Sequence, residues 1–231
     1  MCFSASASFG AGAVLLAMGV TSLKKCSKPS QILFASIPLF FALQQITEGF
    51  LWVSLLHPSF ALCRWPATYL FLLFAQIIWP VWVPLSIRLL EKDPNRKKWL
   101  NMALGTGLLV SVYLAFRMVT QHVGASIIGW HVVYDIGEPD PVLHSSTVLY
   151  FIATVAPSFI SSVKKMWIFG ISATLAYIIS YIFFEHYLIS VWCFLAAIMS
   201  SAVITIMFDL YKNVLEDNNA PKPSVESDGG K

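Results

Sequence analysis

The chain has 231 residues, of which 57% are apolar and 12% are charged, and its mean hydropathy is +0.71. Soluble domains carry about 25% charged residues, so this chain has too little polar surface to face water on every side, and we expect membrane lipids to surround it. The net charge of +3 is small, and the basic residues form no continuous patch, which excludes nucleic acid as an expected partner.

Long apolar stretches follow one another along the chain. A helix needs about 20 mostly apolar residues to cross a hydrocarbon core of about 30 Å. Such stretches lie near residues 4–23, 31–56, 66–88, 99–119, 146–163, 166–184 and 187–210. They predict an all-α, seven-helix transmembrane domain over residues 1–212, followed over residues 213–231 by a disordered cytoplasmic tail that is polar and contains Pro, Gly and Ser.

The basic residues are distributed unevenly between the connections. Thirteen of the 15 Lys and Arg residues lie in the first, third and fifth connections and in the tail, whereas the other side has only Arg64 and Arg117. Basic residues in short loops stay cytoplasmic, so this bias predicts an odd number of spans with the N-terminus outside and the C-terminus in the cytoplasm.

The first span opens with the sequence MCFSASASFGAG. Ser4, Ser8 and Gly12 repeat every four residues, a stripe of small side chains that favours close contact between helices. If Met1 is removed, Cys2 presents an α-amine and a thiol together, which suits metal binding or a nucleophile. A disulfide between Cys2 and Cys63 is the alternative, since both are expected at the outer surface.

The second span contains the residues that most strongly suggest a functional site. Gln44 and Glu48 are four residues apart and share a helix face with Trp52, and Gln45 adds a further amide. A carboxylate inside a membrane span is costly and is a functional-site candidate by default. We therefore predict an outward-facing polar pocket around Glu48. The alternative is a protonated Glu48 that bonds to a neighbouring helix and serves packing only.

The third span carries two prolines within the run Trp79-Pro80-Val81-Trp82-Val83-Pro84. Proline removes backbone donors from a helix, so the run predicts a kink, and a kink can shape a cavity. The tryptophans also suit a membrane interface, which is the simpler interpretation.

The predicted orientation gathers the histidines and several acids at the outer side. The longest loop, near residues 120–145, contains many of them, and the full set is His57, His122, His131, His144, His186, Asp135, Glu138, Asp140 and Glu185. Imidazole, carboxylate and thiolate are the usual ligands of zinc. The candidate zinc ligands are Cys2, Glu48, His131 and His186, and the candidate catalytic residues are Glu48, His131, Asp135 and His186. The alternative is that these loop residues are simply solvated.

These patterns lead to three hypotheses about function. The first is a hydrolase or transferase, metal-dependent if zinc is bound, that acts on a lipid or a small periplasmic substrate with Glu48 as general base. The second is a small-molecule or ion transporter that uses Glu48 as a carrier site. The third is a sensor or an assembly partner for another membrane protein.

Three patches of sequence carry a resemblance. The opening MCFSASASF, the second-span QQITEGFLW and the loop WHVVYD resemble a family of uncharacterised bacterial multi-pass membrane proteins grouped as a domain of unknown function. The resemblance covers most of residues 1–210 and implies a bacterial inner membrane. The family-like positions are Cys2, Phe3, Ser4, Gln44, Gln45, Glu48, Gly49 and Trp52. At the level of topology alone, the chain is similar to the superfamily of alkaline ceramidases and adiponectin receptors.

Overall fold

The computed structural model describes residues 4–137 and 141–219, and this part of the chain is mostly helical. The helices are α1 (Ala5–Leu23), α2 (Ile32–Ala35), α3 (Ile37–Leu56), α4 (Arg64–Leu72), α5 (Trp79–Leu90), α6 (Pro94–Thr120), α7 (Pro141–Ile160), α8 (Met166–Phe183), α9 (Leu188–Ala197) and α10 (Ser200–Asn219). The turns Pro29–Gln31, Pro58–Cys63, Leu73–Ile78 and Glu185–Tyr187 join neighbouring helices into seven longer segments.

Six of these segments are long and apolar enough to cross a membrane. They cover Ala5–Leu23, Pro29–Leu56, Pro58–Leu90, Pro94–Thr120, Met166–Phe183 and Glu185–Glu216, and a shorter apolar helix covers Ser146–Ile160. Large apolar side chains remain on the outside of the bundle, among them Leu109 at 75% and Val119 at 85% exposure. A water-soluble monomer rarely leaves contiguous apolar surface of this kind uncovered. The predicted helical, membrane-compatible architecture is confirmed at this level.

The connections that carry the basic residues meet at one end of the bundle. Lys25 lies over the rings of Phe208 and Tyr211, at 4.8 and 4.6 Å from their centroids. Lys165 pairs with Asp209, with 2.8 Å between Nζ and Oδ1. The first and fifth connections therefore lie beside α10, and consecutive segments alternate in direction. We call this the basic end and the opposite one the hairpin end.

Glu91 ties the third connection to the fifth at the basic end. The side chain is buried, and its carboxylate accepts hydrogen bonds from the N–H and hydroxyl of Ser162 and from the backbone N–H groups of Lys92 and Asp93. Burial opposes ionisation, but these four bonds favour the carboxylate more strongly, and together they lower the pKa of Glu91 to about 2. Sequence reasoning counted only the basic residues of this connection and missed this acid.

The stripe of small residues on α1 packs against α3, as predicted. Ser8, Gly12 and Gly19 are all buried. A Cβ atom added at Gly12 would lie 2.7 Å from Cγ1 of Ile46, and one added at Gly19 would lie 2.4 Å from a methyl carbon of Leu39. Only residues without a larger side chain allow the two helices to approach this closely.

The predicted distortion of the third segment takes the form of a π turn at Leu73–Ile78. Trp79 donates its backbone N–H to the carbonyl oxygen of Phe74, five residues earlier, and Pro80 has no N–H to offer the next carbonyl, that of Ala75. The hydroxyl of Tyr150 on α7 donates to that carbonyl at 2.5 Å. The sequence predicted a distortion within residues 79–84, and the π turn lies immediately before that run. The contact with Tyr150 became visible only in the fold.

A glycine on α6 fits against the backbone of the kinked segment. Pro84 leaves the carbonyl oxygen of Pro80 without its intrahelical donor, and Gly107 lies directly against this oxygen. A Cβ atom at Gly107 would stand 1.8 Å from it, so no other residue fits there without moving a helix.

The segment predicted as a loop near residues 120–145 contains regular structure, so the all-α prediction was wrong here. The strands β1 (Val123–Ile128) and β2 (His131–Ile136) form an antiparallel hairpin in which Ile128 faces His131. Gly129 has φ of +62°, and it begins a two-residue turn of the kind that favours Gly at its first position. Helix α7 then starts at Pro141, before the predicted start of the span at 146.

The last helix also continues beyond its predicted end. Helix α10 runs through Asn219, so residues 213–219, which we predicted to begin the tail, are helical. An ion pair between Lys212 and Glu216, one helical turn apart, supports the extension.

Candidate functional site

Two helix faces meet inside the bundle and form a buried polar cluster. Gln44 and Glu48 on α3 are fully buried, and they face Ser190 and Cys193 on α9. The hydroxyl of Ser190 donates a hydrogen bond to Oε1 of Glu48 at 2.6 Å. Residues three or four apart lie on the same side of a helix. Each helix therefore contributes two polar side chains to the cluster. We call Gln44, Glu48, Trp79, Ser190 and Cys193 the Glu48 cluster.

Trp79 holds one side of the Glu48 cluster in place. Its indole N–H donates to Oε1 of Gln44 at 2.8 Å. The ring of Phe41 stacks on the Trp79 indole, with 4.1 Å between centroids and 26° between planes. A fixed Gln44 in turn restricts where the neighbouring Glu48 and Cys193 side chains can lie, because hydrogen bonds in a dry interior are strong and directional.

A cavity of about 400 Å³ opens beside this cluster at the hairpin end. Its walls come from the π turn, α6, β2, α7 and the start of α9, and they are mainly apolar. The polar groups among the lining residues are Gln76, Arg117, Tyr134, Asp135, Ser146, Thr147, Tyr150, Glu185, His186, Tyr187, Ser190 and Cys193. A concave, largely apolar space with a few polar groups is typical of a small-molecule site.

The cavity has an exposed mouth and a buried floor. Asp135, Glu185 and His186 are exposed and mark the mouth, whereas Ser190 and Cys193 are buried and form part of the floor. Glu48 is not among the lining residues, so it lies behind Ser190. A molecule in the cavity would therefore contact the hydroxyl of Ser190, which bonds directly to the carboxylate of Glu48.

Arg117 brings a positive charge to the wall of this cavity. The residue is only 5% exposed, which is rare for arginine, and its guanidinium donates to the carbonyl oxygen of Ile136 on β2 at 2.9 Å. Gln76, on the π turn, presents a buried Oε1 that has no hydrogen-bond partner among residues 4–137 and 141–219. The cavity wall therefore offers both donors and an acceptor to a ligand.

The residues that we predicted to act together do not all line one cavity. Glu48 is in the buried cluster, and Asp135 and His186 are at the cavity mouth. His131 begins β2 and stacks on the ring of Tyr187 with 4.3 Å between centroids. Burial lowers the pKa of His131, which favours its neutral form.

The remaining predicted pocket residues lie away from the cavity lining. Gln45 is fully buried, and neither of its amide atoms has a hydrogen-bond partner in the part of the chain that the structure describes. Trp52 packs with Val132 beneath the hairpin. Ser4 caps α1 by accepting a bond from the N–H of Ala7 at 3.2 Å. Cys2 lies outside the described residues, as do Glu138 and Asp140.

Over residues 4–137 and 141–219, no three His, Cys, Asp or Glu side chains come together as a set of metal ligands. The predicted zinc site would need such a set, because zinc in proteins takes three or four of these ligands. The zinc hypothesis, which included Cys2, stays a prediction.

Sequence reasoning missed the part of the site that α9 contributes. Ser190 and Cys193 are three residues apart in the part of the last segment nearest the hairpin end, and this spacing was a visible signal for a polar face on that helix. Arg117 was counted for topology alone, although an arginine near the end of an apolar span is itself a sign of a polar site.

Comparison with known proteins places the chain in a family. Residues 1–216 match the model of the family of unknown function DUF6629, so the chain belongs to that family, and the predicted resemblance to a family of unknown function is confirmed. No curated protein and no solved structure matches the chain. The topology-level likeness to alkaline ceramidases and adiponectin receptors stays a prediction.

Proposed function

We propose that this member of the family is an integral protein of a bacterial inner membrane with seven spans and its hairpin end outside. Two observations support the proposal. Six segments and the shorter apolar helix Ser146–Ile160 suit a hydrocarbon core. The first, third and fifth connections, which carry most of the basic residues, lie at the opposite end. Basic connections of inner-membrane proteins lie on the cytoplasmic side.

Single cysteines test this orientation. In a variant whose four native cysteines are serine, Trp130→Cys in the hairpin turn should react with a membrane-impermeant maleimide added to intact spheroplasts. Asn95→Cys, which is exposed at the start of α6, should react only after the cells are opened. The reverse pattern would contradict the orientation, and the second variant is the control for the first.

We further propose that the outer cavity binds a small amphipathic molecule, either a lipid or a periplasmic compound. The observation that carries this proposal is the 400 Å³ cavity itself, with an apolar wall, a buried Arg117 and an exposed polar mouth. A ligand with an apolar body and a polar group would match both kinds of surface.

Native mass spectrometry of the detergent-purified protein tests binding. We expect a small molecule to co-purify with the parent protein and to be lost in Leu114→Trp, because Leu114 lines the cavity and is 6% exposed. Leu109→Trp, on the same helix but 75% exposed, is the matched control and should keep the ligand. A parent protein that carries no ligand, even after incubation with an extract of its own membranes, would contradict the proposal.

Binding fits the structure better than transport does. A transport path would need polar groups that continue beyond the cavity. Among the buried hydroxyls of α5 and α7, that of Ser158 has no hydrogen-bond partner within the described residues. The hydroxyls of Ser86 and Thr154 instead bond to carbonyls of their own helices. A bond of this kind satisfies the hydrogen-bonding capacity of a hydroxyl inside an apolar bundle and requires no transport path.

A further inference from the structure

We infer that Ser190 and Glu48 form a nucleophile and general-base pair that transfers the acyl group of an ester bound in the outer cavity. This inference rests on the proposed binding function and extends it to chemistry. Its basis is that Ser190 both lines the cavity and donates its hydroxyl to a fully buried carboxylate at 2.6 Å. Hydrogen-bond reach between nucleophile and base is the geometric requirement for such a pair.

The Ser190 hydroxyl points in a different direction from the hydroxyls of three other buried serines of the bundle. The hydroxyls of Ser54, Ser86 and Ser180 each donate to a carbonyl of their own helix, at 2.8 Å in every case. This local bond is the usual way in which a serine satisfies itself inside an apolar helix. Ser190 instead donates to a residue 142 positions away in the sequence. The fold thus directs this hydroxyl towards a base.

The position of Glu48 suits a base that acts through the serine. Glu48 is fully buried and absent from the cavity lining, so a substrate in the cavity would meet Ser190 first. Trp79 fixes Gln44, one turn from Glu48 on α3, which limits the freedom of the carboxylate. A base that is held behind its nucleophile needs no rearrangement before it accepts the proton.

The reaction balances with an ester and water as the only reactants. Oγ of Ser190 attacks the ester carbonyl carbon, and its proton passes to Oε1 of Glu48. The tetrahedral intermediate expels the alcohol as its alkoxide, which takes a proton from a water molecule in the cavity, and the acyl group remains on Ser190. The hydroxide so formed attacks the acyl-serine. The acid leaves, and Oγ of Ser190 recovers its proton from Oε1 of Glu48.

The same cavity supplies groups that would stabilise the negative charge of the intermediate. The guanidinium of Arg117 and the amide of Gln76 both belong to the lining. Donors in a site that excludes bulk water stabilise a developing oxyanion far more than they would in solution. The mainly apolar wall also favours an ester with an acyl chain over a charged, water-soluble ester.

A fluorophosphonate with an alkyl chain is the probe that tests the inference. Attack by Ser190 would form an Oγ–P bond and release fluoride, and peptide mapping of the labelled parent protein should place the adduct on Ser190. Mapping needs no variant, so it does not depend on whether a substitution folds. Ser190→Ala should lose this label, whereas Ser180→Ala, a buried serine outside the cavity lining, should keep it.

The role of Glu48 is tested by Glu48→Gln, which keeps the shape of the side chain but not its basicity. General-base catalysis contributes roughly 10²–10⁴-fold, so we expect labelling to slow by about 100-fold or more. The thermal midpoint in the same detergent shows whether the variant is folded. Unchanged labelling in folded Glu48→Gln would overturn the role of the base.

Two further outcomes separate the inference from the proposed function. If native mass spectrometry shows that the probe binds without covalent attachment and Ser190 stays unmodified, the assignment of Ser190 as nucleophile is overturned and the binding function stands. If neither the probe nor a co-purified ligand is bound to the parent protein, the binding function is overturned, and the acyl-transfer inference is overturned with it.

Discussion

The two ends of the bundle use their polar residues in opposite ways. At the basic end, Glu91 accepts four hydrogen bonds and Lys165 pairs with Asp209. At the hairpin end, polar side chains surround a cavity, and Gln76 keeps a buried oxygen without a partner among the described residues. Saturated polar groups stabilise a fold, whereas polar groups that remain available suit a ligand. We therefore propose that the polar groups at the basic end mainly stabilise the fold and that those at the hairpin end mainly serve ligand binding.

The largest effect is expected where α5 and α6 cross, because this contact supports both ends. Gly107→Val would place side-chain atoms against the carbonyl oxygen of Pro80, where even a Cβ stands 1.8 Å away, so we expect no folded protein in detergent by size-exclusion chromatography. Gly105→Val, on the same helix with no neighbour within 4 Å, is the control and should fold. A folded Gly107→Val protein would show that the crossing is looser than described.

Glu91→Ala should lower the stability of the protein without affecting ligand binding at the hairpin end. The substitution removes the acceptor of four hydrogen bonds, so we expect a loss of about 1.5–3 kcal/mol in the free energy of unfolding at neutral pH. Thermal unfolding in one detergent measures this loss, and Glu216→Ala at the exposed end of α10 is the control. Ligand retention by the folded fraction should not change. Loss of the ligand would contradict the proposal that the basic end serves stability and the hairpin end serves binding.

Acidic pH should reduce the contribution that Glu91 makes to the free energy of unfolding. Because the pKa of Glu91 is lower in the folded protein than in the unfolded chain, its contribution is full above about pH 4.5 and disappears as the pH falls towards 2. The difference in thermal midpoint between the parent and Glu91→Gln should therefore narrow between pH 5 and pH 3. A constant difference over this range would contradict the assignment of the carboxylate.

Trp79→Phe should have the smallest of these effects and should act on the Glu48 cluster. The substitution removes the N–H that satisfies Oε1 of Gln44, so we expect a loss of about 1–2 kcal/mol in the free energy of unfolding. Trp167→Phe, at a position that is 56% exposed, should leave stability unchanged. Equal effects of the two substitutions on the thermal midpoint would show that the bond to Gln44 contributes nothing.

Local patterns predicted the parts of the molecule that depend on neighbouring residues. Apolar length identified the helical segments, the Ser8 and Gly12 spacing predicted that α1 packs closely against another helix, and the prolines at 80 and 84 identified the distorted segment. The hairpin was missed even though two β-branched runs flank Gly129-Trp130, because its histidines and acids suggested a metal-binding loop.

The sequence by itself determined that this chain has about seven apolar helical segments, a basic side and a costly carboxylate at position 48, because length, charge and helical period are properties of adjacent residues. Only the tertiary structure decided that Ser190 bonds to Glu48, that Tyr150 bonds to the free carbonyl of the π turn, and that Arg117 lines the same cavity as Ser190 and Cys193. Those pairings join residues far apart in the chain, and packing of whole helices chooses them.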